Sequence, residues 1–254
     1  MAATPDTAQR FANWAGNQAC SPRAVELPAS EAEVQALVRG ADQVRCVETG
    51  HSFSPVCLTS GTLIRMDRMR GVTGIDRATG RVTALPGTPV ADFGPPLWDA
   101  GLSLANQGDI DTQGIAGAVA TATHGSGLAL PAFSATVRRM RIVTAAGDVL
   151  ELAQDDERLP AAQVALGMLG VITEVEIQAV PAHRLSERIE RWTWEDAWGR
   201  LDEMSRAHRH YSFFWLPAEG SAALYGLSAP AGAALADSCY VKIYDEAGEP
   251  VPDS

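Results

Sequence analysis

The residues best suited to chemistry lie in one short loop. Residues 44–48, VRCVE, read as a buried strand, and the glycine that follows ends it and opens the loop Thr49-Gly50-His51-Ser52-Phe53-Ser54. The hydroxyls of Thr49, Ser52 and Ser54, with consecutive backbone N–H groups around a glycine, make a nest of donors that suits a phosphate or pyrophosphate. A Gly-Ser turn between strands is also an ordinary connection, so the loop alone does not decide the matter. His51, in its middle, offers a base, a ligand or a point of covalent attachment for a cofactor, against the plainer reading of a solvated loop histidine.

A second candidate is the tract at 108–127, GDIDTQGIAGAVATATHGSG. Its side chains are too small for an ordinary core helix. Small residues at this density let the backbone approach something large and flat, or let two elements pack closely. Other constellations carry less. His208 and His210 form an H-x-H with no Cys or carboxylate cluster beside it, which reads as a solvated pair, and no metal is expected. Cys20, Cys46, Cys57 and Cys239 include no CxxC pair and are too scattered for a disulfide scaffold, which suits a reducing cytoplasm. Ser52 and Ser54 lack a G-x-S-x-G elbow. Trp192, Trp194 and Trp198 read as packing residues, with a carbohydrate-stacking surface as the minority reading.

The elements that must position these groups follow from composition and period. The chain has 254 residues, 46% hydrophobic and 20% charged, with a formal charge of −11, which is a globular composition able to bury one large or two modest domains. The acidic balance excludes a nucleic-acid binder working through bulk charge. No stretch approaches the roughly 18–20 apolar residues of a membrane helix, and the start MAATPDTAQR lacks a basic-then-apolar signal pattern. Residues 30–41 open with a capping box, Ser30 and Glu33, and continue as a short amphipathic helix. Strands are expected at 62–66, 71–76 and 81–85, and again at 136–144, 149–152 and 171–180. Helical stretches are expected at 89–100, interrupted by Pro95-Pro96 and stopped by Gly101, and at 160–169. The order has no regular β-helix-β period and no G-x-G-x-x-G after the first strand, which argues against a Rossmann nucleotide site. From Glu187 the character changes: a Trp-bearing amphipathic stretch runs to about 206, and an apolar run follows at 211–216. A boundary therefore falls near Pro181. Residues 218–238 show little periodicity and the last ten, DEAGEPVPDS, are acidic. They read either as a disordered terminus or as part of a second domain cut off before its sheet is complete.

Three runs together carry a resemblance: VETGHSFSP at 47–55, GDIDTQGIAGAVATATHGSG at 108–127 and LGMLGVITEVEIQ at 166–178. In that order and spacing they resemble the FAD-binding (PCMH-type) domain of the vanillyl-alcohol oxidase superfamily, and within it the branch of L-gulonolactone, D-arabinonolactone and alditol oxidases. The resemblance spans residues from about 10 to 216. It implies an α+β fold: a PCMH-type FAD-binding domain of two α/β subdomains over 10–180, followed over 181–254 by the incomplete start of a substrate (cap) domain with an unpatterned acidic tail.

The resemblance also implies roles. His51 matches the histidine that is joined covalently to FAD, and Glu48, Thr49, Gly50, Ser52, Phe53 and Ser54 surround the pyrophosphate. The second run would pass beside the cofactor, with Gly114, Gly117 and Gly125 leaving room for it and Asp109, Thr112, Thr121, Thr123 and His124 as its polar groups. Gly108 matches a position that leaves O2 access to the flavin, which favours an oxidase. Gly170, Val171 and Ile172 would present backbone to the adenine and ribose end. The implied reaction takes hydride from an alcohol of a sugar lactone or polyol to FAD, with O2 as final acceptor. The chain departs from the pattern at Glu48, where a glycine is usual; a carboxylate there repels a diphosphate unless it points away or meets an arginine such as Arg45. It also lacks the substrate-domain acid, arginine, lysine and His-Trp-Gly run, its sole lysine being Lys242. The alternative is a truncated, catalytically inactive FAD-binding remnant. Peripheral membrane association stays open, although no segment is built for it.

Overall fold

The computed structural model describes residues 10–228 and 235–248. Expectations for 229–234 and for the last six residues of the acidic end fall outside the described residues. Two compact units are present. The first runs through His124 and resumes over Pro131–Ala182; the second takes Gly125–Leu130 and the chain from His183 onward. Residues 125–130, read from sequence as part of the first domain, thus pack with the second unit.

Besides two short two-stranded pairs, Phe11–Ala12 with Ala19–Cys20 and Leu102–Ser103 with Val180–Pro181, the first unit holds two larger sheets of different character. Strands β1 (Ala24–Glu26), β2 (Val44–Val47) and β3 (Thr62–Arg65) form a parallel sheet in the order β1-β3-β2. Helix α1 (Glu31–Gly40) makes the β1-to-β2 crossover, and its Ser30 hydroxyl accepts from Glu33 N–H. Glu33 reaches back to Ala29 N–H rather than to the cap residue, so the box closes one position early. Val34 and Val38 of α1 bury against Ile64 and Met66.

Strands β4 (Val72–Asp76), β5 (Arg81–Ala84), β6 (Val137–Val143), β7 (Val149–Ala153) and β8 (Val171–Gln178) build an antiparallel sheet in the order β7-β6-β8-β5-β4. Its inner face buries Val82, Met140, Ile142, Leu152, Val175 and Ile177. Against that face lie α2 (Gly94–Asp99), α3 (Ile115–Ala120), α4 (Phe133–Thr136) and α5 (Leu159–Gln163), contributing Leu97, Ile115, Val119, Phe133 and Leu159. The other face is charged: Arg139 pairs with Glu174 at 2.8 Å, and Arg81 with Glu176 at 3.1 Å. Arg141 forks onto Glu31 of α1 at 3.1 and 2.7 Å and also meets Glu151 at 2.5 Å. Alternation of buried and half-buried residues along β8 separates the faces.

Two helix expectations are corrected. Leu159–Gln163 is all that forms of the helix expected over 160–169, because Leu166 (φ 53°) and Gly167 (φ 73°) turn left-handed. The small-residue tract does contain a helix, α3, anchored in the core by Ile115, Ala118 and Val119.

In the second unit β9 (Leu185–Trp192), β10 (His210–Leu216) and β11 (Ser238–Glu246) form an antiparallel sheet in the order β9-β11-β10, with helices α6 (Trp194–Gly199) and α7 (Leu201–Ala207) between the first two. The stretch read as unpatterned therefore contains the central strand: Cys239, Val241 and Ile243 are buried with Ala197, Met204 and Tyr211. Lys242 lies on that strand, not in a loose tail. His208 and His210 are not a solvated pair either. His208 Nδ1 lies 2.7 Å from Asp245 Oδ2, and His210 is buried with Nδ1 3.0 Å from the Ser126 carbonyl. Among the described residues no helix is long and apolar enough to cross a membrane.

Candidate active site

The loop at 48–54 leaves the carboxyl end of β2, where ligands of open parallel sheets commonly bind. Gly50 adopts φ +68°, and a Cβ there would lie 3.2 Å from the Phe11 ring, so both conformation and space call for glycine. The N-terminal segment holds the loop by its carbonyls: Trp14 N–H donates to Gly50 O at 2.9 Å, Asn13 Nδ2 to Ser52 O at 2.9 Å and Asn17 Nδ2 to Phe53 O at 3.1 Å. Ser52 and Ser54 hydroxyls are 2.9 Å apart. Thr49 at the head of the loop is exposed.

His51 is fixed from two sides. Its ring stacks on Trp14 with centroids 5.1 Å apart and planes at 19°, and Phe53 meets the same indole edge-on at 5.9 Å. Its Nε2 lies 3.0 Å from Thr112 Oγ1, the direction of that hydrogen bond depending on the imidazole tautomer. When Nε2–H donates to Thr112, Nδ1 keeps its lone pair for attack or ligation. The sequence brought His51 and Thr112 forward separately. Trp14 and Asn13 were missed, since nothing local in FANWAGN distinguishes a ring or amide that will meet a loop about forty positions on.

A cavity of about 310 Å³ opens between β2, one face of α3 and the segment 166–172. From α3 and its C-cap it receives Gly117, Ala120 and Thr121, which share a face at helical spacing. Thr121 spends its hydroxyl on Gly117 O at 2.9 Å. Gly170, Val171 and Ile172 also line the cavity. Gly170 sits at φ +139°, and a Cβ there would lie 2.1 Å from the Val143 carbonyl oxygen, so no other residue fits without moving β6. Leu166, Met168 and Leu169 complete that wall and are more than 40% exposed.

Glu48 also lines the cavity, and its carboxyl turns toward α3. A Cβ on Gly114 would fall 1.3 Å from Glu48 Oε2, and one on Gly117 3.6 Å away. Oε2 is sealed from solvent and has no hydrogen-bond partner. Burial pushes this carboxyl up to about 8, against the opposing pull of the Gly117 backbone amide. Arg45 does not answer it; its Nη1 points to Met168 Sδ at 3.8 Å. Burial also raises the thiols of Cys46 and Cys57 on the same wall, which keeps them protonated and unreactive.

The remaining candidate residues stand apart from the cavity wall. Asp109 and His124 are exposed, Thr123 is half-buried with Oγ1 3.5 Å from Thr121 Oγ1, and Gly125 belongs to the second unit. A Cβ on Gly108 would lie 3.2 Å from the His124 carbonyl oxygen, a packing reason for glycine independent of oxygen access.

A family profile described as an FAD binding domain matches residues 22–153, which include β2, its loop, α3 and the cavity wall from both. L-gulono-1,4-lactone dehydrogenase of Mycobacterium tuberculosis is 42% identical over 212 residues, 82% of this chain and 49% of that protein. L-gulonolactone oxidase of Bos taurus is 32% identical over 214 residues, again 82% and 49%. The chain thus spans about half the length of the curated relatives it matches. Among solved structures, cholesterol oxidase from Brevibacterium sterolicum superposes with a TM-score of 0.78 at 18% identity, over 95% of this chain and 48% of that one, which establishes the fold. With α+β architecture and family profile in agreement, the chain belongs to the FAD-binding domain family.

Proposed function

We propose that this chain supplies the FAD-binding part of an oxidoreductase acting on the CH–OH group of a sugar lactone or polyol. The observation that carries the reading is the convergence of residues 44–48, α3 and 166–172 on one cavity inside the first unit. The residues present fit a dinucleotide: a wall of Gly117, Ala120 and Gly170 admits a flat group, and Glu48, whose buried Oε2 has no hydrogen-bond partner, borders it. The loop at 49–54 would hold the diphosphate through backbone N–H groups, while its carbonyls are tied back by Asn13, Trp14 and Asn17. Gly170, Val171 and Ile172 would offer backbone to the adenosine end. Bound FAD supplies the two-electron acceptor for hydride leaving the alcohol carbon, and O2 would then take both electrons to give H2O2.

His51 is the group we assign to covalent attachment, through a ring nitrogen to the 8α methyl carbon of the isoalloxazine. Trp14 stacking and the Thr112 hydrogen bond hold the ring in one orientation, as a nucleophile requires. The alternative reading is FAD binding without turnover. Purified protein should be yellow, and its flavin should stay with the acid precipitate in wild type and leave with the supernatant in His51→Ala. Colourless protein that gains no flavin absorbance when supplied with FAD refutes the reading. Turnover of aldonolactones or polyols, followed by peroxide in air and by an artificial electron acceptor without air, separates oxidase, dehydrogenase and non-catalytic binder.

A further inference from the structure

Glu48 combines three properties that packing alone does not explain. It borders the cavity. One carboxyl oxygen is shut off from water with no donor to meet it, although a buried acceptor without a partner is costly. And its carboxyl occupies the space that every residue other than glycine would fill at position 114. A carboxyl whose buried oxygen meets no donor favours its neutral form, and the part of Glu48 that borders the cavity is where a bound group would meet it.

We propose, resting on the FAD reading above, that Glu48 is a cofactor-contacting residue that enters the complex as a neutral carboxylic acid and donates its proton to a diphosphate oxygen of the dinucleotide. A charged Glu48 and a diphosphate exclude one another in this cavity, so binding is coupled to one proton. The surroundings keep the proton in place. Burial raises the carboxyl, Asp67 adds to the effect, and Arg70 and the Gly117 amide oppose it. Asp67 is itself bound by Arg65 through two 2.9 Å hydrogen bonds, and Arg70 lies 3.4 Å from Asp92. On the same cavity wall Cys46 and Cys57 are neutral, Asp42 lies 3.7 Å from Arg23 and Arg45 turns to Met168 Sδ at 3.8 Å, and neither α3 nor residues 166–172 carries an ionisable side chain.

The sign follows directly. Below about pH 8 the acid is neutral and costs no deprotonation equilibrium; above it, free protein must regain a proton to bind, so affinity falls about tenfold per pH unit. FAD affinity is measured by flavin fluorescence from about pH 6 to about pH 10, with His51→Ala as parent so that binding is reversible. The parent should hold FAD with constant Kd up to near pH 8 and then weaken, whereas His51→Ala/Glu48→Gln should show no such break. His51→Ala/Glu48→Gly, which empties the space beside Gly114, should also be flat and serves if the glutamine form does not fold. Riboflavin, which lacks phosphate, should bind the parent without the break. A pH profile shared by parent and both Glu48 variants, a flat parent, or the same break with riboflavin overturns the proton coupling while leaving FAD binding intact. Absence of FAD binding in all three proteins overturns both.

Discussion

Alanine at position 114 tests the site's packing at a single atom. Gly114 has φ −70° and ψ 144°, an extended conformation open to alanine, so the substitution introduces no backbone strain. By itself Gly→Ala restricts the unfolded chain and stabilises by about 0.4–1 kcal/mol. The new Cβ would lie 1.3 Å from Glu48 Oε2 and 2.2 Å from its Cδ, far inside contact, so the carboxyl must leave. Overpacking of this kind costs about 1–3 kcal/mol, leaving a net loss of roughly 1–2 kcal/mol. In a Glu48→Gly background the clash is gone and only the gain remains. The four proteins of this cycle, compared by urea denaturation, should give a coupling of about 1.5–3 kcal/mol. Equal destabilisation by Gly114→Ala in both backgrounds, or none in the parent, refutes the view that Glu48 is what requires glycine at 114.

Other outcomes follow from the same structure. Gly170→Ala should lose roughly 2–4 kcal/mol in denaturant, since it combines φ +139° with a Cβ 2.1 Å from the Val143 carbonyl oxygen. Thr112→Val should lower the fraction of flavin that resists acid extraction while changing stability by no more than about 0.5 kcal/mol, because Thr112 is exposed. The Arg141 fork, with help from Thr173, holds Glu31 below the usual carboxylate range. Its contribution of about 1 kcal/mol is present above the unfolded value near 4.3 and is lost as pH falls through the lower folded value, so wild type and Glu31→Gln should converge in acid melts. Ile243→Ala, in the core of the second unit, should cost about 2–5 kcal/mol by denaturation.

What could be read ahead of the structure was local chemistry with a strong pattern. Ser30 and Val34, Val38 gave α1 because cap and apolar spacing agree within one turn of each other. The GHS loop and the run at 166–178 were recognisable because their glycines answer backbone demands, as at Gly50 and Gly170. The purpose of Gly114 was not readable, because the atom that fills its space comes from Glu48, 66 positions earlier in the numbering and conspicuous only as a departure. Trp14 behind His51 is likewise a long-range contact without a local signal. The strand at Ser238–Glu246 was missed because its polar Lys242 and Tyr244 interrupt the apolar run and the acids that follow suggest a solvated end. Alternation of Cys239, Val241 and Ile243 was the clue available.

That strand has a consequence for how the second unit comes into being. Of the strands β9, β10 and β11, β11 comes latest in the chain yet lies between the others, so β9 and β10 share no ladder with each other and each waits for the same late partner. Until residue 246 has left the ribosome, β9 and β10 lack the partner strand and keep unpaired backbone along both flanks, a template for sticking to neighbouring chains. Nascent chains halted anywhere between Leu216 and Ser238 should therefore be the ones that chaperones hold longest and that form inclusion bodies most readily.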